Sequence, residues 1–322
     1  MKANGRAAVL DAPRSSRVES RAIPAVAPTQ VRLRLEGCGV CGSNLPVWEG
    51  RPWFSYPFAA GAPGHEGWGL VDDIGTDVTS VRRGDRVAAL SYHAFAEYDV
   101  AEEQQVVRLP PALDGQPFPG EALGCAVNVF RRSAIARGET VAIVGIGFMG
   151  ALLTNLAAHA GARVIALSRR PFALEIARKL GAQETIRLTD QAAAIGAVQE
   201  LTGRAGCSCV IEATGLQGPL DLAAELTTER GRLVIAGYHQ DGPRQVNMQL
   251  WNWRGLDVIN AHERDPRIYV AGMRGAIDAI VSGALDPAPL YTDRFGLEEL
   301  PSAFRRMQER DGTFLKALIA YD

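Results

Sequence analysis

In the stretch Thr140-Val-Ala-Ile-Val-Gly-Ile-Gly-Phe-Met-Gly150, three spaced glycines separate a compact apolar run from a helical pattern. Further apolar runs follow it and alternate with helical stretches rich in Ala, Leu and Arg. These runs are Arg163–Leu167, Cys209–Glu212 and Arg232–Ala236. The alternation predicts an α/β fold with a doubly wound parallel sheet, which we place at residues 126–264.

Each glycine of this stretch has a distinct expected role. Gly145 permits a tight turn, Gly147 lets the backbone approach a pyrophosphate, and Gly150 lets the helix pack on the strand. The helix start at Phe148 and Met149 offers unpaired N–H groups to the phosphates. The stretch therefore predicts a dinucleotide-binding turn, and a glycine-rich turn that binds nothing is the alternative.

The rest of the chain predicts a second, β-rich domain, made of residues 1–125 and 265–322. Short strands with Gly and Pro between them are expected at Arg6–Leu10, Gln30–Leu35, Gly69–Asp73, Asp85–Leu90 and Val106–Leu109. The C-terminal part predicts helices at Val270–Ser282 and Leu297–Gln308, and a last strand at Leu315–Ala320.

The end of the second strand of the parallel sheet predicts the choice of cofactor. An acidic residue there binds the ribose 2′-hydroxyl of NAD, but this chain has Ser168, at 168 − 150 = 18 positions after the third glycine. Arg169 and Arg170 follow, and two guanidinium groups suit a 2′-phosphate. We expect NADP to be preferred over NAD. The alternative is that both arginines only solvate a helix start.

Three short runs in the β-rich domain predict a metal site. Together they contain a thiolate, an imidazole and a second thiolate, at Cys41, His65 and Cys125. Three protein ligands with an open fourth position are typical of catalytic rather than structural zinc. The runs are Gly37-Cys-Gly-Val-Cys-Gly-Ser-Asn44, Gly64-His-Glu-Gly67 and Gly120-Glu-Ala-Leu-Gly-Cys125.

The charge and the apolar runs of the chain indicate which classes of partner to expect. A net charge of −2 and a pI near 6.3 give no basic field for nucleic acid. No apolar run reaches the roughly 18 residues of a membrane span, so we expect a cytoplasmic protein that binds small molecules. Five cysteines do not make a disulfide framework, and Cys38, Cys207 and Cys209 are expected to be buried thiols.

These motifs, in this order along nearly the whole chain, resemble the medium-chain zinc alcohol and polyol dehydrogenases. The resemblance also covers Gly84-Asp-Arg-Val87, Ile211-Glu-Ala-Thr-Gly215, Gly231-Arg-Leu-Val-Ile-Ala-Gly237 and Ser282-Gly-Ala-Leu-Asp286. It implies a GroES-like catalytic domain beside a Rossmann domain, cofactor contacts at Thr214 and Gly237, and a homodimer or homotetramer. The implied reaction is hydride transfer between an alcohol and NADP or NAD, with polyols, cyclitols and sugars as expected substrates.

The resemblance also implies roles at the metal. Cys41, His65 and Cys125 correspond to the zinc ligands, and Glu66 to an acid able to join or displace the metal shell. Glu121 corresponds to a glutamate that approaches the metal in the polyol branch, so the choice between the two acids stays open. Ser43 corresponds to the first member of a proton relay.

Three departures from the family pattern change the expectations. The four-cysteine segment for a structural zinc is missing, so we expect one zinc per chain. Asn44 stands where the family has Asp, and we expect its carbonyl to accept the second N–H of His65. Pro46 stands where many members have the relay histidine, so protons must leave Ser43 by another route.

Two rival functions follow from the same motifs. A zinc-free quinone or enoyl reductase of the superfamily would keep the glycine turn but lack the three ligands, and a metal count separates it from a zinc enzyme. A dinucleotide-binding sensor without activity would keep the glycine turn but would not need to retain the catalytic residues. Turnover on a panel of alcohols separates it from an enzyme.

Overall fold

The computed structural model describes residues 3–321, and the chain divides into two compact units. The first contains residues 1–125, 264–281 and 291–322, and the second contains residues 126–263 and 282–290. The sequence-based division differs from this mainly in residues 282–290, which it assigns to the catalytic domain. This segment packs with the second unit, where Asn155 Oδ1 accepts a hydrogen bond from the backbone N–H of Asp286 at 2.7 Å.

The described part of the chain contains fifteen strands and nine α-helices. In chain order the described strands are β1 (Asn4–Ala12), β2 (Ser15–Ala22), β3 (Gln30–Gly39), β4 (Gly67–Ile74), β5 (Arg86–Ala89), β6 (Tyr98–Glu102), β7 (Val106–Arg108), β8 (Thr140–Val144), β9 (Arg163–Ser168), β10 (Glu184–Arg187), β11 (Cys207–Glu212), β12 (Thr227–Ile235), β13 (Asp257–Asn260), β14 (Tyr291–Phe295) and β15 (Lys316–Ala320). The described α-helices are α1 (Leu45–Glu49), α2 (Gly120–Ser133), α3 (Phe148–His159), α4 (Pro171–Lys179), α5 (Gln191–Leu201), α6 (Gln217–Leu226), α7 (Met248–Arg254), α8 (Pro266–Val281) and α9 (Leu300–Glu309).

The second unit contains a six-stranded parallel sheet in the order β10-β9-β8-β11-β12-β13. The strand order reverses at β8, which carries the glycine turn at its carboxyl end, and the crossovers contain α3 to α7. The central strands are almost fully buried, as expected for a parallel sheet covered on both faces. The predicted doubly wound sheet is confirmed.

The first unit is built on a mixed sheet of seven strands. The order is β14-β15-β3-β4-β5-β7, and β6 pairs with β3; β1 and β2 form a separate hairpin. Its core contains the fully buried Trp48, Phe95 and Phe304, with the Trp48 and Phe304 rings stacked at 4.9 Å. Long β3 pairs with three other strands, and its C-terminal end leads into the predicted metal site.

Other expectations are met in part. Cys38, Cys207 and Cys209 are buried free thiols, as predicted. The helix predicted from Val270 begins earlier, at Pro266, because proline is favoured in a first helical turn. Within the described chain, no helix is both long enough and apolar enough to cross a membrane.

Candidate active site

The first group of predicted metal ligands forms where two neighbouring strands meet. Cys41 follows the end of β3, and His65 and Glu66 directly precede β4. Because β3 and β4 are antiparallel, with Cys38 opposite Gly67, the end of one strand lies beside the start of the other. One donor atom each from Cys41, His65 and Glu66 therefore lies within 4.8 Å of the other two.

Helix α2 adds two further candidate ligands to this group. Glu121 and Cys125 are four residues apart and share one helix face, where Cys125 Sγ donates to Glu121 Oε1 at 3.1 Å. Glu121 Oε2 lies 4.0 Å from His65 Nε2. Burial raises the pKa of the Cys125 thiol well above its usual range, and Glu121 and Cys41 raise it further. The fold thus places Glu121 beside His65, and Cys125 beside Glu121, next to the group of Cys41, His65 and Glu66.

The imidazole of His65 is oriented by a backbone carbonyl. His65 Nδ1 lies 2.8 Å from the carbonyl oxygen of Pro63, and Asn44 Nδ2 donates to the same oxygen at 3.2 Å. A carbonyl oxygen only accepts, so Nδ1 carries a hydrogen and Nε2 is the ring atom that would bind a metal ion once it is deprotonated. The expectation that Asn44 accepts this N–H is wrong. The Pro63 carbonyl, two residues before His65, takes that place, and Asn44 is a second donor to it.

Ser43 lies on the side of His65 that faces the cluster. Its Oγ is 3.2 Å from Cys41 Sγ and 3.5 Å from His65 Nε2. Pro46, at the expected position of a relay histidine, is buried in α1. The hydroxyl is thus held among the candidate ligands, where it can exchange a proton with a substrate oxygen.

Lys316 is a site residue that the sequence analysis missed. It lies in β15, next to β3, and its Nζ is 2.7 Å from Glu66 Oε1 and 2.6 Å from Oε2. Both side chains are almost fully buried. Burial alone would lower the pKa of Lys316, but Glu66 raises it above its usual value, so the ammonium stays charged. The one available signal was a lysine inside the apolar strand Leu315–Ala320.

The donors of this cluster fit a divalent cation. Burial alone would lower the pKa of His65, but Cys41, Glu121 and Glu66 raise it to about 10, so without a metal ion the imidazole carries a proton. Protein ligands bind metal in their deprotonated forms, and a cation would therefore replace that proton. Thiolate, imidazole and carboxylate are the donors typical of zinc.

Tyr92 is a second residue that the sequence analysis missed. Its ring stacks on the imidazole of His65, with 6.4 Å between centroids and 15° between planes, and the side chain is about half exposed. The segment carrying Tyr92 packs directly on the segment before His65, since Ala94 N–H donates to the Gly64 carbonyl at 2.9 Å. The buried carboxylate of Asp99 also accepts from the N–H of His93 at 3.1 Å. This half-exposed aromatic face therefore lies beside the candidate ligand His65.

In the second unit, the glycine turn has room where a ligand would need it. Gly145 has a φ of +100°, and a Cβ on it would lie 2.2 Å from Thr214 Cγ2. A Cβ on Gly150 would lie 2.0 Å from the Gly145 carbonyl oxygen. Nothing lies within 4 Å of a Cβ built on Gly147, so its backbone is open to a pyrophosphate. Helix α3 begins at the next residue, Phe148.

The two arginines that follow β9 have different surroundings. Ser168 is buried, and its Oγ accepts from the N–H of Arg170 at 3.3 Å. The guanidinium of Arg170 turns back to the glycine turn and donates to the Ile146 carbonyl at 3.1 Å. Arg169 is exposed and makes no hydrogen bond or ion pair within the described chain. Arg169 is therefore the one of the pair whose guanidinium is available to a ligand.

Thr214 and Gly237 follow the ends of β11 and β12. Thr214 N–H and Oγ1–H both donate to the buried Glu212 carboxylate, at 2.6 and 2.5 Å. A Cβ on Gly237 would lie 2.1 Å from the backbone nitrogen of Gly215, so glycine is required for these two loops to approach. Both residues lie at the carboxyl edge of the parallel sheet, where ligands of such sheets bind.

Comparison with known proteins identifies two family domains. The alcohol dehydrogenase GroES-like domain matches residues 27–111, and the zinc-binding dehydrogenase domain matches residues 145–271. The chain is 29% identical to 5-exo-hydroxycamphor dehydrogenase of Pseudomonas putida, over 94% of this chain and 96% of that protein. It is 28% identical to erythritol/L-threitol dehydrogenase of Mycolicibacterium smegmatis, over 91% of each.

A solved structure shares the fold over the full chain. It is a protein of Sinorhizobium meliloti 1021 that is described as a zinc-binding dehydrogenase and was solved bound to NADP. The TM-score is 0.86 at 24% identity, and the match covers 99% of this chain and 100% of the other. With the two domain matches and the curated relatives, the chain belongs to the medium-chain dehydrogenase/reductase superfamily, as an oxidoreductase of its zinc-dependent alcohol dehydrogenase branch.

Proposed function

We propose that this protein interconverts an alcohol and its carbonyl compound with NADP as hydride carrier and one catalytic zinc ion per chain. The observation that carries the proposal is the group of Cys41, His65 and Glu66, with Glu121 and Cys125 beside it, because the Pro63 carbonyl takes the hydrogen of His65 Nδ1 and leaves Nε2 as the atom that would bind the ion. A zinc ion there supplies Lewis acidity toward a substrate oxygen. The nicotinamide supplies the hydride acceptor.

The chain's own residues bind, orient and move a proton. Ser43 is the first group of a proton relay, since its Oγ lies beside both Cys41 Sγ and His65 Nε2; it would accept the alcohol proton while passing its own hydroxyl proton to a cofactor ribose hydroxyl or to water. Pro63 and Asn44 hold the imidazole in one tautomer. Lys316 holds Glu66 in place within the buried cluster, while Glu121 is hydrogen-bonded to Cys125. Both acids remain candidates to join the metal shell.

The count of one zinc rests on the cysteine distribution. Cys41 and Cys125 belong to the cluster, while Cys38, Cys207 and Cys209 are buried separately as free thiols. A four-cysteine structural site needs thiolates close together in the chain, and the sequence between residues 87 and 97 has none.

The preference for NADP rests on the end of β9. Ser168 brings no carboxylate to repel a 2′-phosphate, and Arg169 offers an uncommitted guanidinium. Arg170 acts instead on the glycine turn through the Ile146 carbonyl. The NADP bound to the structural relative from Sinorhizobium meliloti is in keeping with this assignment.

The substrate class is a small secondary alcohol. The relatives named above include dehydrogenases of a hydroxycamphor and of erythritol and threitol. Each of these compounds carries a hydroxyl group on a small carbon skeleton. Tyr92 presents an aromatic face beside His65 on which such a skeleton can pack. We place the substrate against this ring.

Exposed groups at one edge of the parallel sheet favour a homodimer. Strand β13 is an edge strand with mostly exposed side chains, and unpaired edges of this kind invite a second strand. Trp253, just before it, is 85% exposed, and Val258 within it is 38% exposed. Replacing Trp253 with Arg should shift the protein toward monomer in sedimentation velocity, and an unchanged mass would remove this surface from consideration.

One experiment tests the proposed function as a whole. Purified protein is analysed for metal without chelators, then assayed on alcohols, polyols and sugars with NADP and NAD in parallel. About one zinc per chain, with turnover that is lost on chelation and regained with zinc, is the expected result. Turnover that persists without metal would instead assign a zinc-free reductase. Cofactor binding without turnover of any substrate would assign a sensor.

A further inference from the structure

A buried carboxylate that the proposed reaction does not use lies at the end of β11. Glu212 is fully buried and accepts hydrogen bonds from the N–H and Oγ1–H of Thr214 and, at 3.0 Å, from the N–H of Gly215. These donors all come from the loop that follows its own strand. The other oxygen, Oε2, accepts only a longer bond from this loop, at 3.3 Å from the Gly215 nitrogen, and is open to a partner from another loop.

That partner is His239, in the loop between β12 and α7, here called the β12–α7 loop (residues 236–247). His239 Nε2 lies 3.0 Å from Glu212 Oε2, and Arg244 Nε donates to His239 Nδ1 at 2.9 Å. A guanidinium only donates, so Nδ1 accepts and the hydrogen sits on Nε2, directed at the carboxylate. Arg244 Nη2 also donates to the Gly215 carbonyl at 3.0 Å.

The network therefore ties two loops together at the carboxyl edge of the parallel sheet. Arg244 and His239 belong to the β12–α7 loop, and Glu212 and Gly215 belong to the end of β11 and the residues after it. Each bond has a charged donor or acceptor, and such bonds are stronger than those between neutral groups. Gln245 of the same loop adds a pair of hydrogen bonds to the side chain of Gln217, the first residue of α6.

The network lies on the side of the sheet where the nicotinamide half of a dinucleotide is expected. Ser168, predicted to read the 2′ position, is the last residue of β9 on one side of β8, whereas β11 and β12 lie on the other side. A dinucleotide whose pyrophosphate sits on the turn after β8 has its adenosine half toward β9. Its nicotinamide half then lies over the loops that follow β11 and β12. Thr214 already contacts the turn, at Gly145.

We propose that Arg244 and His239 are positioning residues, which hold the β12–α7 loop in the conformation that binds the nicotinamide half of the cofactor. The inference rests on the proposed function, because it needs a dinucleotide in the second unit. The two residues touch no reacting atom; they act through Glu212 and through the backbone of the two loops. Loss of either should weaken the whole cofactor and spare its adenosine fragment.

The test compares two ligands on the zinc-loaded protein by calorimetry. For Arg244→Met, we expect the Kd of NADPH to rise by about tenfold or more, as for the loss of one charge-assisted hydrogen bond. The Kd of 2′,5′-ADP, which has no nicotinamide, should stay within about twofold. His239→Leu should behave similarly. Arg244→Lys, which keeps one donor, should recover part of the loss. NADH and 5′-AMP repeat the test if the protein prefers NAD.

Arg254→Met is the matched control. Arg254 donates to the carbonyls of Ala224, Glu225 and Thr227, at the opposite, amino end of β12. Its loss should lower the melting temperature of the protein without changing the ratio of the two dissociation constants.

Three outcomes would overturn the inference. An Arg244→Met protein that binds NADPH as well as wild type shows that the network does not position the loop. Equal losses for NADPH and 2′,5′-ADP show a general structural role. If Arg244→Met does not fold, the same comparison with Arg244→Lys decides. A wild-type protein that binds neither dinucleotide refutes the proposed function itself, and the inference with it.

Discussion

Replacing Lys316 with Met should destabilise the first unit strongly, because it removes the ammonium that contacts both oxygens of the buried Glu66 carboxylate. Lys316 is 4% exposed and Glu66 is 0% exposed, and both carboxylate oxygens lie within 2.7 Å of the ammonium. Removing one partner of a buried ion pair costs about 3–5 kcal/mol. Met keeps most of the side-chain volume, so this loss reports the charge rather than a cavity.

The free energy of unfolding is measured in urea on metal-depleted protein, with hydrogen exchange of β15 peptides as the readout for the first unit. Lys316→Met combined with Glu66→Leu removes both charges and should recover most of the loss. Lys179→Met changes an exposed lysine and should stay within about 0.5 kcal/mol of wild type. Zinc should reduce the loss in Lys316→Met, since a cation offsets the unpaired carboxylate. A Lys316→Met protein within about 1 kcal/mol of wild type in the metal-depleted state would falsify the buried ion pair.

Three further changes test the site by single measurements. Ser43→Ala should retain zinc but turn over about 10²-fold more slowly, and full speed would mean that protons leave by another route. Ser168→Asp should shift the ratio of kcat/KM for NADP and NAD toward NAD by about tenfold or more; an unchanged ratio would show that the end of β9 does not read the 2′ position. Tyr92→Ala should raise KM for a cyclic secondary alcohol more than for ethanol, and equal effects on both would place the substrate away from this ring.

The parallel sheet was predictable because its signals are local. Each central strand is a short apolar run. The glycine turn after β8 marks the point where the strand pattern ends and the helical pattern of α3 begins. The strands that the sequence analysis did not predict lie mostly at edges or in exposed hairpins, where side chains alternate weakly or are polar. They include β2, β10 and β13, whose burial patterns have few buried residues. Local hydrophobicity carries little information about strands that are paired on one side only.

The residue types of the candidate ligands were predictable from the sequence, but the groups that surround them were not. Cys41, His65 and Cys125 stand out because thiols and imidazole in this order match a zinc site, and the fold then gathers them. Asn44 shows the limit of the comparison by position: it matches a family acceptor in sequence, yet it donates to the Pro63 carbonyl. Which atom orients an imidazole depends on backbone geometry within a few ångströms, and sequence spacing does not contain that information.

The distance along the chain explains why Lys316 was missed and why it matters. It lies 250 residues after Glu66, and only the pairing of β15 with β3 brings the two together. The cluster holds two thiols, two carboxyl groups and an imidazole, which a single ammonium cannot neutralise once the thiols ionise. A divalent cation supplies the missing positive charge, and its binding free energy then adds to the stability of the first unit. A bound zinc ion would therefore both complete the charge balance of the site and stabilise the fold of the first unit.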